Sequence, residues 1–333
     1  MKRHRMFLAL SASVSASCAS RDPIELVAVT FNSGTSEGMP HDAAPDDGYG
    51  AAQALTSDQW YGDGLAWSRA IADVHAFFER LSPDLVGFQE IFHPGDCTLI
   101  PPEARTGWVC EHWKDGDPTV VQLVVGAGYQ VACNLQKPDK CLAVKRAFGT
   151  FRGCQFDVCL DGLAGARVPE CGSGSRVGRG VIELAGGGTL TVVNVHGSSG
   201  VASSDADCRS RQFGQVFEDL GTSDGPAANG ERNLVLGDFN TDPIRFEHGD
   251  PSADALVRLA FGAARPFQFI SEIGESATPT YGGIVNIDHQ LSDSFTGSCW
   301  SAGITEGHPP VTSMVYFDHK PLVCNLSEIP RTD

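Results

Sequence analysis

The feature that most constrains this chain is a set of short apolar runs, each ending in a polar or ionisable side chain. "IELVAVTFN" closes on Asn32, "DLVGFQE" on Glu90, "VVNVH" on His196, and "NLVLGDFN" on Asp238 and Asn240. Runs of four to eight residues rich in Val, Leu and Phe read as strands buried on both faces. Burying an unpaired carboxylate costs several kcal/mol, so a core alone gives no reason for these ends. In α/β sheets, ligands bind beyond the carboxyl ends of the strands, where such residues meet if the strands run alike.

Helical patterns separate the runs. Residues 65–81 carry Leu65, Ile71, Val74, Phe77, Phe78 and Leu81 at helical spacing, and Ser82-Pro83 ends the pattern. Residues 205–221 and 252–262 predict two further helices, and 180–199 a hairpin around Gly186-Gly187-Gly188. Residues 34–63 and 152–180 read as loop. The alternation predicts an α/β fold with mixed sheets and helices on the outer faces. No linker is visible, so 21–333 reads as one domain, with a cysteine-rich stretch around 97–171.

Residues 1–20 read as a targeting segment: Lys2, Arg3 and Arg5 precede an apolar run from Met6 to Leu10 and the small residues "SASVSASCAS". Cys18 stands where a lipid-carrying cysteine would, although Ser15 replaces the usual Leu three residues before it. Without Cys18, ten of the 11 cysteines remain, an even number that suits disulfides in an oxidising compartment. The expected location is therefore extracellular, periplasmic or lipid-anchored at the cell surface. The net charge of −17 becomes −20 once Lys2, Arg3 and Arg5 are removed. Such a surface repels polyphosphate and argues against a stable nucleic-acid complex, but not against an enzyme that meets phosphate through a cation.

The strand-end residues share one chemistry with two later segments, "NIDHQLSD" (Asp288) and "FDHKPLV" (Asp318-His319). Glu90, Asp318 and the Asn32 amide are hard oxygen donors suited to Mg²⁺, with Mn²⁺ or Ca²⁺ as alternatives. Asp238 can orient or deprotonate water, Asn240 can donate to a phosphoryl oxygen, and His196 and His319 can donate to developing negative charge. Asp288 can hold one imidazole in a fixed tautomer. The sum is metal-assisted hydrolysis of a phosphate ester. No HExxH, GxxxxGK[ST] or GxGxxG occurs to support a competing chemistry.

The six segments "TFN", "DLVGFQE", "VVNVHG", "LVLGDFN", "NIDHQLSD" and "FDHKPLV", in this order, resemble the endonuclease/exonuclease/phosphatase superfamily over about residues 24–326. The resemblance implies a four-layer α/β/β/α sandwich of two packed mixed sheets. It implies Mg²⁺ on Glu90 with Asn32 and Asp318 nearby, and catalytic roles for His196, Asp238, Asn240, Asp288 and His319. His289 reads as structural, and Arg209 and Arg211 as a solvated helix face.

The substrate stays open. A nuclease-like phosphodiesterase leads; the alternatives are a sphingomyelinase-like phospholipid phosphodiesterase, a phosphoinositide phosphatase, or a non-catalytic surface binding module. The partner is then a phosphate ester, from nucleic acid or a phospholipid headgroup. Membrane contact is expected only through a lipid anchor or through Trp60, Tyr61, Trp108 and Trp113 if exposed. A monomer is expected.

Overall fold

The computed structural model describes residues 23–35, 48–245, 249–303, 305, 307–308, 311 and 317–330. The targeting segment with Cys18, together with His41 and His248, lies outside the described residues.

Thirteen strands form among the described residues: β1 (Glu25–Asn32), β2 (Leu85–Gln89), β3 (Tyr129–Asn134), β4 (Lys137–Lys145), β5 (Gly149–Phe151), β6 (Val158–Cys159), β7 (Val177–Leu184), β8 (Thr189–His196), β9 (Asn233–Asp238), β10 (Gln268–Phe269), β11 (Asp288–Ser292), β12 (Phe295–Ser301) and β13 (Leu322–Glu328). They make a seven-stranded sheet in the order β12-β13-β1-β2-β4-β3-β6 and a six-stranded sheet in the order β10-β11-β9-β8-β7-β5. Both are mixed. β1 runs parallel to β2 and β8 parallel to β9, whereas β13 and β11 run antiparallel to them.

The described residues also form five α-helices: α1 (Ala51–Thr56), α2 (Ser68–Leu81), α3 (Val120–Val125), α4 (Ser203–Phe217) and α5 (Pro251–Gly262). α2 buries Ala70, Ile71, Val74, Phe77 and Phe78, the stripe read from sequence, and stops where Ser82 turns left-handed before Pro83. With α3 it packs on the outer face of the larger sheet, against Val29, Phe31, Val86 and Phe88. α4 and α5 press Phe213, Val216, Leu256 and Leu259 on Val193, Val195, Val235 and Leu291 of the smaller sheet. Between the sheets lies a third core, which includes Leu26, Ala28, Leu85, Leu142, Val192, Leu234 and Leu236. Each such side chain contributes about 1.5–3 kcal/mol by leaving water. This is the four-layer α/β/β/α arrangement that the resemblance implies.

The stretch read as loop after β1 is partly helical: α1 is followed by a turn of π-helix over Ser57–Tyr61. Tyr61 stacks on Trp108 with ring centroids 4.4 Å apart, and Tyr49 packs on Trp67. Tyr61 and Trp108 are thus buried, Trp113 packs against the same core, and Trp60 is the exposed aromatic of the four. The β12 strand and the short β5 and β10 escape the sequence reading because they are brief or polar.

The cysteine-rich stretch supplies α3 and the strands β3, β4, β5 and β6. All ten cysteines among the described residues pair: Cys97–Cys110, Cys133–Cys141, Cys154–Cys159, Cys171–Cys208 and Cys299–Cys324. Five disulfides fit an oxidising compartment, and no described helix is long and apolar enough to cross a membrane. The Cys171–Cys208 bridge ties the loop before β7 to α4 and closes the longest loop, with a sequence separation of 37. Chain-entropy reasoning assigns such a loop about 4 kcal/mol. A Cys171→Ala/Cys208→Ala variant is expected to lose roughly that much stability in urea unfolding, more than a Cys154→Ala/Cys159→Ala variant; the reverse order would refute the ranking.

Candidate active site

The residues that face the partner sheet change character along each central strand. On β1 they run Leu26, Ala28, Thr30, Asn32; on β8, Leu190, Val192, Asn194, His196; on β9, Leu234, Leu236, Asp238. Strand alternation puts each set on one face. The lower members are apolar, Thr30 and Asn194 above them are neutral and polar, and the last are the predicted site residues; on β9 the row passes directly from Leu236 to Asp238.

The neutral layer is cross-bonded between the sheets. The Asn194 amide donates to the carbonyls of Phe88 (2.9 Å) and Cys141 (3.1 Å) and accepts from Gln89 Nε2 at 2.6 Å. Thr30 donates to Gln89 Oε1, and Gln290 Nε2 donates to the carbonyls of Ala28 and Leu322. All four polar side chains are buried. The sequence reading passed over this layer, although Thr30 and Asn194 each stand two residues before a strand-end site residue and Gln89 stands directly before Glu90.

Above it sits Asp238, buried to 1% exposure. Its Oδ2 accepts from the side-chain amides of Asn32 and Asn240, each at 3.0 Å, and its Oδ1 from the Asn240 backbone N–H at 2.8 Å. Two imidazoles face Oδ2: His196 Nε2 at 3.7 Å and His319 Nε2 at 3.8 Å. Asn240 does not continue the extended chain that would put both side chains on one face. Its φ is +52°, and the turn folds its amide back onto Asp238 and the Gly197 carbonyl. Its amide nitrogen is thereby directed at Asp238 and the Gly197 carbonyl. Gly237 makes this strand end possible, since a Cβ there would lie 1.9 Å from the Val195 carbonyl oxygen.

Asp288 and His319 come from strand starts, not ends. Antiparallel pairing sets Asp288 of β11 opposite Asp238, and His319 precedes β13. His319 Nδ1 lies 2.8 Å from Asp288 Oδ2, which points its Nε2 at Asp238. Tyr281 packs against the ring at a centroid distance of 4.8 Å, a support no motif announced. His289 is buried between Phe239 and Phe269, with its nitrogens on Ser271 and the Thr241 carbonyl, as a structural residue.

Glu90 takes a left-handed conformation (φ +56°) just after β2, and its Oε1 lies 3.4 Å from His196 Nε2. Gly34 leaves room for this carboxylate, since a Cβ would meet Glu90 Oε2 at 1.9 Å. Asn32, Glu90, Asp238, Asn240, Asp318 and His319 line one cleft of about 710 Å³. Among the described residues no cluster of three or more His, Cys, Asp or Glu has the spacing of a protein-only metal cage. Mg²⁺ asks for less, since it is held by one or two carboxylates together with water and substrate oxygens. The donor set fits: Asp318 Oδ1 is buried without a partner, and Glu90 raises its proton affinity further.

The electrostatics are those of a site short of positive charge. Burial pushes Glu90 up, and lifts Asp318 to about 6 and Asp238 to about 7. Burial pulls His319 down, but Asp288 and Asp238 outweigh it and hold the imidazolium to about 10. His196 goes the other way: burial first, then Lys140 and Arg176, keep it well below its ordinary 6.5 and so neutral at pH 7.

Arg209, read as a solvated residue, is instead buried. It donates to Ser252 and to the carbonyls of Ser198 and Gly200, and pairs with Asp250, so it fastens the loop after β8 to α5. Arg211 stays half-exposed near Asp207 and contacts no site residue.

Neither a protein-family model nor a curated protein sequence matches the chain. Solved structures do. The human Nocturnin catalytic domain with bound sulfate superposes with a TM-score of 0.51 at 14% identity, covering 93% of this chain and 97% of that one. ANGEL2, a 2′,3′-cyclic phosphatase, gives 0.51 at 10% identity over 92% and 95%. TDP2 from D. rerio in complex with a single-strand DNA product gives 0.51 at 11% identity over 91% and 98%. At these identities the likeness establishes a shared fold.

His319 gives the site a testable pH signature. With EDTA present, its raised value means its stabilisation is complete below the unfolded value of about 6.5 and is lost as pH rises through about 10. Burial of Lys140, pulled to about 8, works in the opposite direction in part of this range. The stability difference between wild type and Asp288→Asn removes that contribution. It is expected to be largest near pH 6.5 and to shrink towards pH 10; a difference independent of pH would show that His319 is not held protonated.

Proposed function

We propose that this chain is an exported, divalent-cation-dependent phosphoesterase that hydrolyses a phosphodiester with an activated water. The observation that carries the reading is the Asp238 centre. A buried carboxylate, oriented by two amides and faced by two imidazoles, stands in the same cleft as two further carboxylates. A structural role explains none of this, because each buried carboxylate there is costly to keep.

The division of labour follows from the protonation states. Asp238, lifted to about 7, takes a proton from water near neutral pH, where a general base is most effective. Asn32 and Asn240 fix its Oδ2 lone pairs. His319, held protonated by Asp288, offers Nε2–H to a phosphoryl oxygen as negative charge grows. Neutral His196 offers its own edge to the same space. Glu90 and Asp318, with the Asn32 carbonyl, would hold Mg²⁺, which when bound supplies Lewis-acid stabilisation of the phosphate charge. The cyclic phosphate of ANGEL2 and the DNA product of TDP2 support a phosphodiester as the bond attacked.

The test is hydrolysis by the mature chain with Mg²⁺, offered plasmid DNA, RNA, sphingomyelin and inositol phosphates. Activity on at least one and its loss in EDTA are expected. A folded protein inactive on all of them would overturn the reading in favour of a binding module. Asp238→Ala and His319→Ala are expected to keep the wild-type circular dichroism and lose 10²–10⁴-fold in kcat, the usual worth of a general acid or base. A full-rate His319→Ala variant would place the chemistry elsewhere.

A further inference from the structure

A second cleft of about 610 Å³ opens beside the first, shares Glu90 with it and is lined by His196 as well. In a chain of net charge −17 it gathers Lys137, Lys140 and Arg176, with His93 at its side. Its carboxylates are Glu90, Asp96 and Asp139. Glu90 belongs to the catalytic cleft, and Asp96 is exposed at the rim. Asp139 is taken up locally, with Lys140 Nζ 3.1 and 3.0 Å from its two oxygens and Lys137 at 4.0 Å.

The placement is systematic. Lys140 follows Leu142 and Val144 along the face of β4 that looks into the sandwich, and it is buried to 3% exposure. Arg176 continues the inward row of Ile182, Gly180 and Gly178 on the opposite sheet, just before β7. Each sheet therefore delivers a cation to the opening next to His196. Arg176 is the less satisfied of the two. Among the described residues it enters no ion pair, its Nη1 makes one long bond to the Gly197 carbonyl (3.4 Å), and its Nε is buried with no partner. Burying an unpartnered donor costs about 1–3 kcal/mol, and like charges close by add to it, so the arrangement calls for an anion.

We propose that this cleft is an anion subsite for a phosphate of the substrate other than the scissile one. The proposal rests on the hydrolytic reading and narrows it: the substrate carries at least two phosphates, as in an oligonucleotide or a polyphosphorylated small ester. A choline phosphodiester such as sphingomyelin would instead present a quaternary ammonium to Arg176 and Lys137. The exposed Trp60 and Leu99 at the rim offer an apolar surface for the group that links the two phosphates.

Two measurements test this, and they fail separately from the hydrolytic reading. The first is calorimetric titration of the metal-free protein with inorganic pyrophosphate, when the carboxylate-rich main cleft repels anions. Arg176→Ala and Lys137→Gln, both at partly exposed positions, are expected to weaken binding at least 10-fold, whereas Asp238→Ala is not. Unchanged binding in both cation variants would overturn the subsite, whatever the enzyme hydrolyses. The second is kcat/KM with Mg²⁺ for a dinucleotide with and without a terminal phosphate, glycerophosphoinositol phosphate as the small-ester arm, and sphingomyelin. The wild type is expected to favour the doubly phosphorylated substrates about 10-fold, through KM, and Arg176→Ala to bring the ratio near one. Equal losses on singly and doubly phosphorylated substrates would place Arg176 on the scissile phosphate; a preference for sphingomyelin would exclude the proposal. Pyrophosphate binding through these residues without hydrolysis of any substrate would keep the subsite and remove the hydrolytic reading.

Discussion

The site depends on the hydrogen bonds that Asn194 makes across the sandwich. Two sheets packed through Leu and Val side chains have no reason to stop being apolar at one end. Carboxylates placed straight on that core would face hydrocarbon. Asn194, Gln89 and Gln290 form an intermediate layer whose hydrogen bonds cross between the two sheets, and Thr30 bonds to Gln89 within the larger sheet. The layer holds the sheets in register and ends the hydrophobic contact. It also gives Asn32, His196, Asp238 and Asp288 a polar floor.

That floor does not make the next layer comfortable. Glu90, Asp238 and Asp318 are all pushed towards protonation, chiefly by burial, and Asp288 Oδ1 and Asp318 Oδ1 have no partner. Unsatisfied groups of this kind persist where surrounding structure holds them, and they collect at functional sites. Here the surroundings are rigid: strands on both sides, five disulfides, and the buried Arg209 fixing the loop after β8. One imidazolium, His319, partly offsets the negative charge. Under the proposed function, a divalent cation and a substrate phosphate would complete the balance and offset that cost.

Much of this was legible in the sequence, because strand ends are fixed by register. A Val- and Leu-rich run determines its own strand, and the residue that ends it is carried to the pole whatever the loops do. Asn32, Glu90, His196 and Asp238 were readable for that reason. Asp288 and His319 were readable only as companions in an ordered set, since they arrive from the starts of antiparallel strands. The turn at Asn240 was not readable, since a left-handed φ at a non-glycine depends on the hydrogen bonds that Asp238 and Gly197 provide. Arg209 misled because a helix spacing does not say which face meets a loop. Its burial is decided by Asp250 and the carbonyls of Ser198 and Gly200, residues far from it in the chain.

The cations beside His196 were hidden for a related reason. "KPDKC" carries no apolar pattern that would mark a buried side chain, and the β3–β4 pairing, with its irregularity at Cys133/Asn134, turns Lys140 inward. Arg176 sits in a glycine- and serine-rich stretch that reads as loop, yet pairing with β8 begins at its neighbour Val177, and its own carbonyl accepts from the His196 N–H. The same hairpin therefore sets the imidazole and the guanidinium side by side. A chain this acidic loses electrostatic attraction to polyanions at its surface. Under the proposed subsite, positive charge concentrated inside the cleft would hold phosphate there while the acidic surface repels it elsewhere. A phosphoesterase of the kind proposed would gain from that distribution at product release, because affinity would be confined to the few phosphates inside the cleft.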